Sequence, residues 1–410
     1  MNLFIKEDKM RHQQSQSQAG EAGSLRALAL ALFAMGSASL SVVGALQAMS
    51  ISMHLAPAAV ALLVTVFGVT FALGAPLLQV MLSHIARKRL LLGGLLVMAA
   101  GAALCALAPN YPALLLARFL TAAGAAAVSP VASAIGAALV PAERRGHALA
   151  VVFSGMTMAS VAGVPLASWL AANLGWRAMF GVTAALGLAA ATAVWRFVGK
   201  TPAGATVRWI DFGRLLVARD VLAAQAVMVL AMTALFCTYT LITPILANRF
   251  HASANAISLA LGVYGVAGLL GNRAARHAAA RWSAERSILT ALAVLGVAFL
   301  GVRLLPASLP GALWLVMALM AAWAVAIDLF LPAQQRRMVE MRPHAPSLVL
   351  AINSSTLFVG MAAGSFAGGK MAVLAGLDAV PLASCLLALS AALLLLAPRS
   401  SRVSARTVQQ

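Results

Sequence analysis

The chain has 410 residues, 62% of them hydrophobic and 10% charged, with a mean hydropathy of +0.94 and a formal net charge of +19. Soluble domains carry roughly half apolar residues, so this composition excludes an ordinary water-soluble fold. The apolar residues gather in twelve blocks of 18–27 residues, each long enough to cross a ~30 Å hydrocarbon layer at ~1.5 Å per residue. Strand-like alternation is absent, which leaves an all-α polytopic membrane protein.

In chain order, residues 1–24 are polar and lack the apolar core of a signal peptide. They are expected to form a disordered cytosolic tail. The predicted spans are 25–47, 57–81, 90–108, 113–139, 147–171, 178–198, 221–247, 256–279, 287–305, 310–332, 347–371 and 380–397. Residues 199–220, with an amphipathic piece around Trp209–Leu216, separate a bundle over 25–198 from one over 221–397, and 398–410 form a basic tail. Twelve transmembrane helices in two pseudo-symmetric six-helix bundles match transporters built from repeats, with a substrate site between them near the midplane.

The cations fix the expected orientation. With both termini on one side, 24 of the 29 Lys and Arg residues fall on that side, and Arg118, Arg177, Arg249, Arg303 and Lys370 do not. That asymmetry over short loops places both termini in the cytoplasm. It accounts for Arg87, Lys88 and Arg89 as a topological anchor and for the net charge as a membrane signature. No basic face interleaved with aromatics points to nucleic acid. Cys105, Cys237 and Cys385 lie inside apolar blocks, and the seven histidines are unpaired at loops or span ends. No metal site, cofactor or enzymatic cluster is therefore expected. No G-x-x-x-x-G-K-[ST] stretch provides for ATP.

Of the ten acidic residues, nine fall in tails or loops, and Asp328 alone lies within a span, one turn before Pro332. An ionisable group at membrane depth marks a substrate or ion path by default. The competing reading is a cytosol-facing Asp328 that reaches toward Arg336 and Arg337. Arg118 lies within the fourth span, where it could hold a solute or instead reach the headgroups. Alanine richness and the preference for Arg over Lys suggest a bacterium, and hence its cytoplasmic (inner) membrane.

Several stretches resemble the major facilitator superfamily across the whole chain. GAPLLQVMLSHIARKRLLLGG (74–94) occupies the place of the family's G-x-x-x-D-R-x-G-R-[RK] loop motif, and ARFLTAAGAAAVSP (117–130) that of its fourth-helix signature. SGMTMASVAGVPLASWLAANLGWRAMF (154–180) is similar to the antiporter signature of helix 5. FCTYTLITPIL (236–246), YGVAGLLGN (264–272), PAQQRRM (332–338) and LAINSSTLFVGMAAGSFAGG (350–369) resemble later helices. The chain is most similar to the sugar-efflux, arabinose-efflux-permease-like group of the drug:proton antiporter branch. It departs from the pattern in lacking the loop acid in both copies, which read Leu82-Ser83-His84 and Ala279-Ala280-Arg281. Ser39 stands near the acid often found in helix 1 of that group.

The resemblance implies alternating access around a cavity lined by helices 1, 4, 7 and 10, export of a sugar or drug-like small molecule in exchange for protons, and a monomer in the lipid bilayer; an uncoupled facilitator and an exporter of amino acids or nucleosides are the alternatives. Asp328 and Arg118 are then the proton-coupling candidates. Ser39, Tyr239, Thr240, Trp323 and Asn353 are the candidates for the cavity wall, with Ser41 and Thr238 weaker. Gly155, Gly163 and Pro165 in helix 5, together with Arg87, Lys88 and Arg89, are expected to act in conformational change. Gly360, Gly364 and Gly368, at four-residue spacing, are expected to pack helix 11 closely.

Overall fold

A computed structural model describes residues 2–202, 213, 218–342 and 346–397; side chains of 2–19, 142 and 346–348 are not described. Among these residues there are twelve helices of membrane-spanning length and no strand. They are α1 (Asn2–Met53), α2 (Pro57–Met81), α3 (Arg87–Leu107), α4 (Tyr111–Ala138), α5 (Arg145–Asn173) and α6 (Trp176–Phe197). The second set is α7 (Arg219–Thr240), α8 (Ala254–Arg281), α9 (Ala284–Leu304), α10 (Ala312–Met341), α11 (Pro346–Ala375) and α12 (Val380–Leu396).

Three expectations are corrected. The tail expected to be disordered instead continues α1 back to Asn2. Its Lys, Glu, Gln, Arg and Met are good helix formers and no proline interrupts them. Pro332 does not end α10, which runs nine residues further to Met341. Its ring removes one backbone bond, and the freed carbonyl four residues earlier belongs to Asp328. The seventh span is not continuous: α7 stops at Thr240, turns at Leu241 and resumes as Ile242–Arg249. Pro244 would clash with the Thr240 carbonyl in an unbroken helix. Most of the linker and the tail at 398–410 lie outside the described residues.

The two sets pack alike. The pairs α1–α5, α1–α6, α2–α4, α3–α4 and α3–α6 recur as α7–α11, α7–α12, α8–α10, α9–α10 and α9–α12. The ion pairs repeat as well: Arg144, just past α4, meets Glu21 on α1 at 3.0 Å, and Arg342, just past α10, meets Asp220 on α7 at 2.6 Å. Each six-helix half is thus a closed bundle, held by the same ties at the side that carries the chain ends (the terminal side).

Two seams join the halves, α2 against α11 and α5 against α8, and the pseudo-twofold exchanges one for the other. Each is set by a glycine at the twelfth position of its helix. A Cβ on Gly68 of α2 would lie 3.0 Å from the Phe358 oxygen and the Ala362 nitrogen of α11. One on Gly265 of α8 would lie 2.5 Å from the Val161 Cα and 2.6 Å from the Ser160 oxygen of α5. There α5 takes one π-helical turn, Ala159–Gly163, just before Pro165. Pro165 lacks the N–H for the Val161 carbonyl, and the extra residue absorbs the mismatch.

Candidate functional site

Hydrogen bonds between the halves lie at the midplane or on the side away from the termini (the distal side). The Thr243 hydroxyl donates to the Val43 carbonyl and accepts from the Gln47 amide, 3.4 and 3.3 Å, entering a turn of α1. Ser258 of α8 donates to Ser168 of α5 at 3.1 Å, and Ser365 of α11 donates to the Ala61 carbonyl of α2 at 2.7 Å. At the midplane Ser39 reaches the Met361 sulfur at 3.9 Å, and Phe71 stacks on Phe358 with centroids 3.7 Å apart. No hydrogen bond joins the halves nearer the terminal side among the described residues. The hydrogen-bonded closure between the halves thus lies at the midplane and on the distal side.

Arg118 is fully buried in the first half, which excludes the headgroup-reaching alternative. Its guanidinium donates to the carbonyls of Ala38 (2.6 Å), Ser39 (3.0 Å) and Leu63 (3.3 Å) and lies 4.4 Å over the Phe67 ring. A rigid planar fork suits three carbonyls on two helices. Arg118 therefore ties α1, α2 and α4 together.

In the second half Tyr239, Tyr264 and Trp323 form a cluster with centroids 4.9–5.8 Å apart, closed behind by Phe299 at 4.9 Å from Trp323. Trp323 is completely buried and Tyr239 nearly so, so in this state neither presents a face to a solute. The hydroxyls of Tyr239 and Thr240 and the Asn353 Oδ1 are buried with no hydrogen-bond partner among the described residues. Thr238 turns instead to Ser384 of α12, 2.6 Å away, and Ser41 donates to the Ala38 carbonyl at 3.3 Å.

Asp328 is half-buried on α10 and faces α8, where a Cβ added to Gly268 would overlap its Oδ2. It makes no hydrogen bond or ion pair among the described residues. The reach toward Arg336 is not made: that side chain holds Glu340 at 2.6 Å and the carbonyls of Ala279 and Trp282 at 2.9 and 3.1 Å. Arg118 and Asp328 are not brought together, since all three bonds of Arg118 stay within the first half.

Gly155 and Gly163 face α1 rather than the partner half. A Cβ on Gly155 would overlap the Ala29 carbonyl, and one on Gly163 would lie 2.7 Å from the Ser37 hydroxyl. Gly360, Gly364 and Gly368 let α11 meet the backbone of α7 at Val229, Thr233 and Cys237. In the basic loop, Arg87 reaches the Ala134 carbonyl at 3.4 Å. Lys88 caps α6 through the carbonyls of Trp195 (2.9 Å) and Val198, and Arg89 is exposed.

Sequence reasoning missed Thr243, Ser168 and Ser258, which close the distal side, because one hydroxyl in a helix is indistinguishable from one bonded to its own turn. It also missed the glycine pair Gly68 and Gly265. Aligning the two halves by helix number would have found it.

Comparison with known proteins agrees with this architecture. The chain is 32% identical over 347 residues to the inner membrane transport protein YdhP of Escherichia coli O157:H7, covering 85% of this chain and 88% of that one. It is 33% identical over 250 residues to a chloramphenicol resistance protein of Streptomyces lividans, covering 60% of this chain and 63% of that one. The crystal structure of a D-xylose-proton symporter superposes with a TM-score of 0.74 at 15% identity, over 92% of this chain and 96% of that one, a likeness of fold. Residues 27–243 and 225–410 each match the Major Facilitator Superfamily profile, and the chain belongs to that family of membrane transporters.

Proposed function

We propose that this protein exports a small organic solute from the cytoplasm by alternating access, in exchange for protons carried on Asp328. The observation that carries the reading is Asp328 itself: an acid at membrane depth with no ion pair or hydrogen bond among the described residues. A bound proton is the counter-charge left to it. The cation asymmetry of the sequence favours the terminal side as cytoplasmic, which puts the hydrogen-bonded distal closure on the outer side. The Streptomyces relative is named for chloramphenicol resistance, which favours a drug-like solute; the resemblance to sugar-efflux proteins favours a sugar. Absence of the loop acid and of an acid in α1 favours a second reading, an uncoupled facilitator.

The test is reconstitution in liposomes with a trapped pH dye and an imposed pH gradient. Pentoses, hexoses, nucleosides, amino acids, lipophilic cations and chloramphenicol are added in turn to wild type and to Asp328→Asn. A solute that discharges the gradient in wild type and not in the variant supports the exchange. Labelled solute that equilibrates without moving protons in either protein makes the chain a facilitator.

A further inference from the structure

Resting on that reading, we infer that Gly268 and Gly271 of α8 are positioning residues that hold the Asp328 carboxyl in a notch between helices. The α8 face toward α10 runs Tyr264, Gly268, Gly271, Ala275 and Ala278, all buried. The two glycines leave the space that Asp328 fills. A Cβ on Gly271 would lie 2.8 Å from the Asp328 Cβ and 2.9 Å from the Val325 backbone, and one on Gly268 would overlap the carboxyl oxygen.

The notch is not inherited from the repeat. Gly268 is the fifteenth residue of α8, and the fifteenth of α2 is Phe71. The eighteenth residue is glycine in both helices, Gly271 and Gly74, so the halves share the close approach and differ at the place where the carboxyl sits.

The charged groups on the surrounding helices turn elsewhere. On α8, Arg273, Arg276, His277 and Arg281 lie on the exposed face, away from α10. On α9, Arg286 lies over the Trp282 ring at 5.1 Å and Glu285 sits in the first turn. On α7, Asp220 holds Arg342, and Arg219 stands beside it at the helix start. On α10, Arg336 holds Glu340. Arg337 is nine residues from Asp328, on the opposite side of a helix of ~3.6 residues per turn. On α11, Lys370 lies toward the distal end, over Phe366. The notch thus keeps the carboxyl from cations while leaving it partly accessible, within reach of proton exchange.

The test needs no solute. Infrared difference spectra of the full chain in nanodiscs, recorded across a pH titration, follow the C=O stretch of a protonated carboxyl; the band missing from Asp328→Asn is that of Asp328. Gly268→Ala is expected to displace its midpoint by about half a pH unit or more, some threefold in proton occupancy at fixed pH. Gly262→Ala, whose Cβ has only Pro165 nearby at 3.9 Å, is expected to leave it in place. If Gly268→Ala does not reach the membrane, Asp328→Glu decides, since its longer side chain cannot seat its carboxyl against Gly268 and should be displaced likewise. A midpoint unmoved in these variants overturns the notch. Exchange that survives Asp328→Asn overturns instead the carrier role, whatever the titration shows.

Discussion

Replacing Gly265 by Ala puts a methyl group in place of one hydrogen where two backbones meet. The new Cβ would stand 2.5 Å from the Val161 Cα and 2.6 Å from the Ser160 oxygen. Ordinary contact begins near 3.4 Å, so α5 and α8 must part by about 0.9 Å. Neither neighbour is a flexible side-chain end. Such overpacking costs ~1–3 kcal/mol. The Ser258–Ser168 bond at 3.1 Å, two turns along the same seam, is stretched beyond bonding range, adding ~1 kcal/mol. The distally closed state should therefore lose ~2–4 kcal/mol, relieved wherever the seam loosens. Cysteines placed at Ser168 and Ser258 report this directly through the rate of disulfide formation in membranes, which should fall at least about tenfold in the Gly265→Ala background, as expected for a ~1.4 kcal/mol shift. Gly262→Ala should leave the rate unchanged. Equal rates in both backgrounds would refute the claim that the glycine sets the seam.

Other consequences can be measured on the same material. Arg118→Met should lower the midpoint of thermal unfolding strongly, by the equivalent of ~2–4 kcal/mol, since three charge-assisted bonds and a ring contact are lost. Arg118→Lys should rescue little of it, because one ammonium cannot span carbonyls on α1 and α2; full rescue would sink the tying role. Lys88→Ala should cost only ~0.5–1 kcal/mol by uncapping α6, read as faster hydrogen exchange confined to Trp195–Val198. Breaking Arg342–Asp220 with Asp220→Asn should shift stability by less than ~1 kcal/mol, because the pair is exposed, and the shift should vanish in high salt.

The fold was legible because lipid leaves few options: apolar blocks of spanning length must be helices, and cation counts orient them. Helix ends were less legible where proline was involved. The span that ends at Pro332 continues as helix past it, whereas α7 breaks at Leu241 just before Pro244, and no window of sequence distinguishes the two. Asp328 could be picked out by listing acids, since only one falls at depth. Its surroundings could not, because Gly268 reads as packing until α10 is laid beside it. Trp323 illustrates the converse: an aromatic in a cavity-lining helix looks like a platform for a solute, yet its place is decided by Phe299 on α9, a partner the sequence does not name.

The ties between halves differ in kind from the ties within them. Within each half, charged groups take part in the holding, as in the Arg118 fork and the Arg144–Glu21 and Arg342–Asp220 pairs, beside neutral bonds such as Thr238–Ser384. Across the distal seal the hydrogen bonds are made by neutral hydroxyls and amides: Thr243, Ser258 and Ser365 with their partners. Bonds of that sort between membrane helices contribute ~0.6 kcal/mol each on average, so releasing these hydrogen bonds costs only a few kcal/mol beyond the packing of the seams. A difference that small lies within reach of the differential affinity of one modest ligand for two states. The two halves are therefore stiff bodies on a weak latch, and a ligand that binds one state a few kcal/mol more tightly than the other would be enough to shift the balance between them.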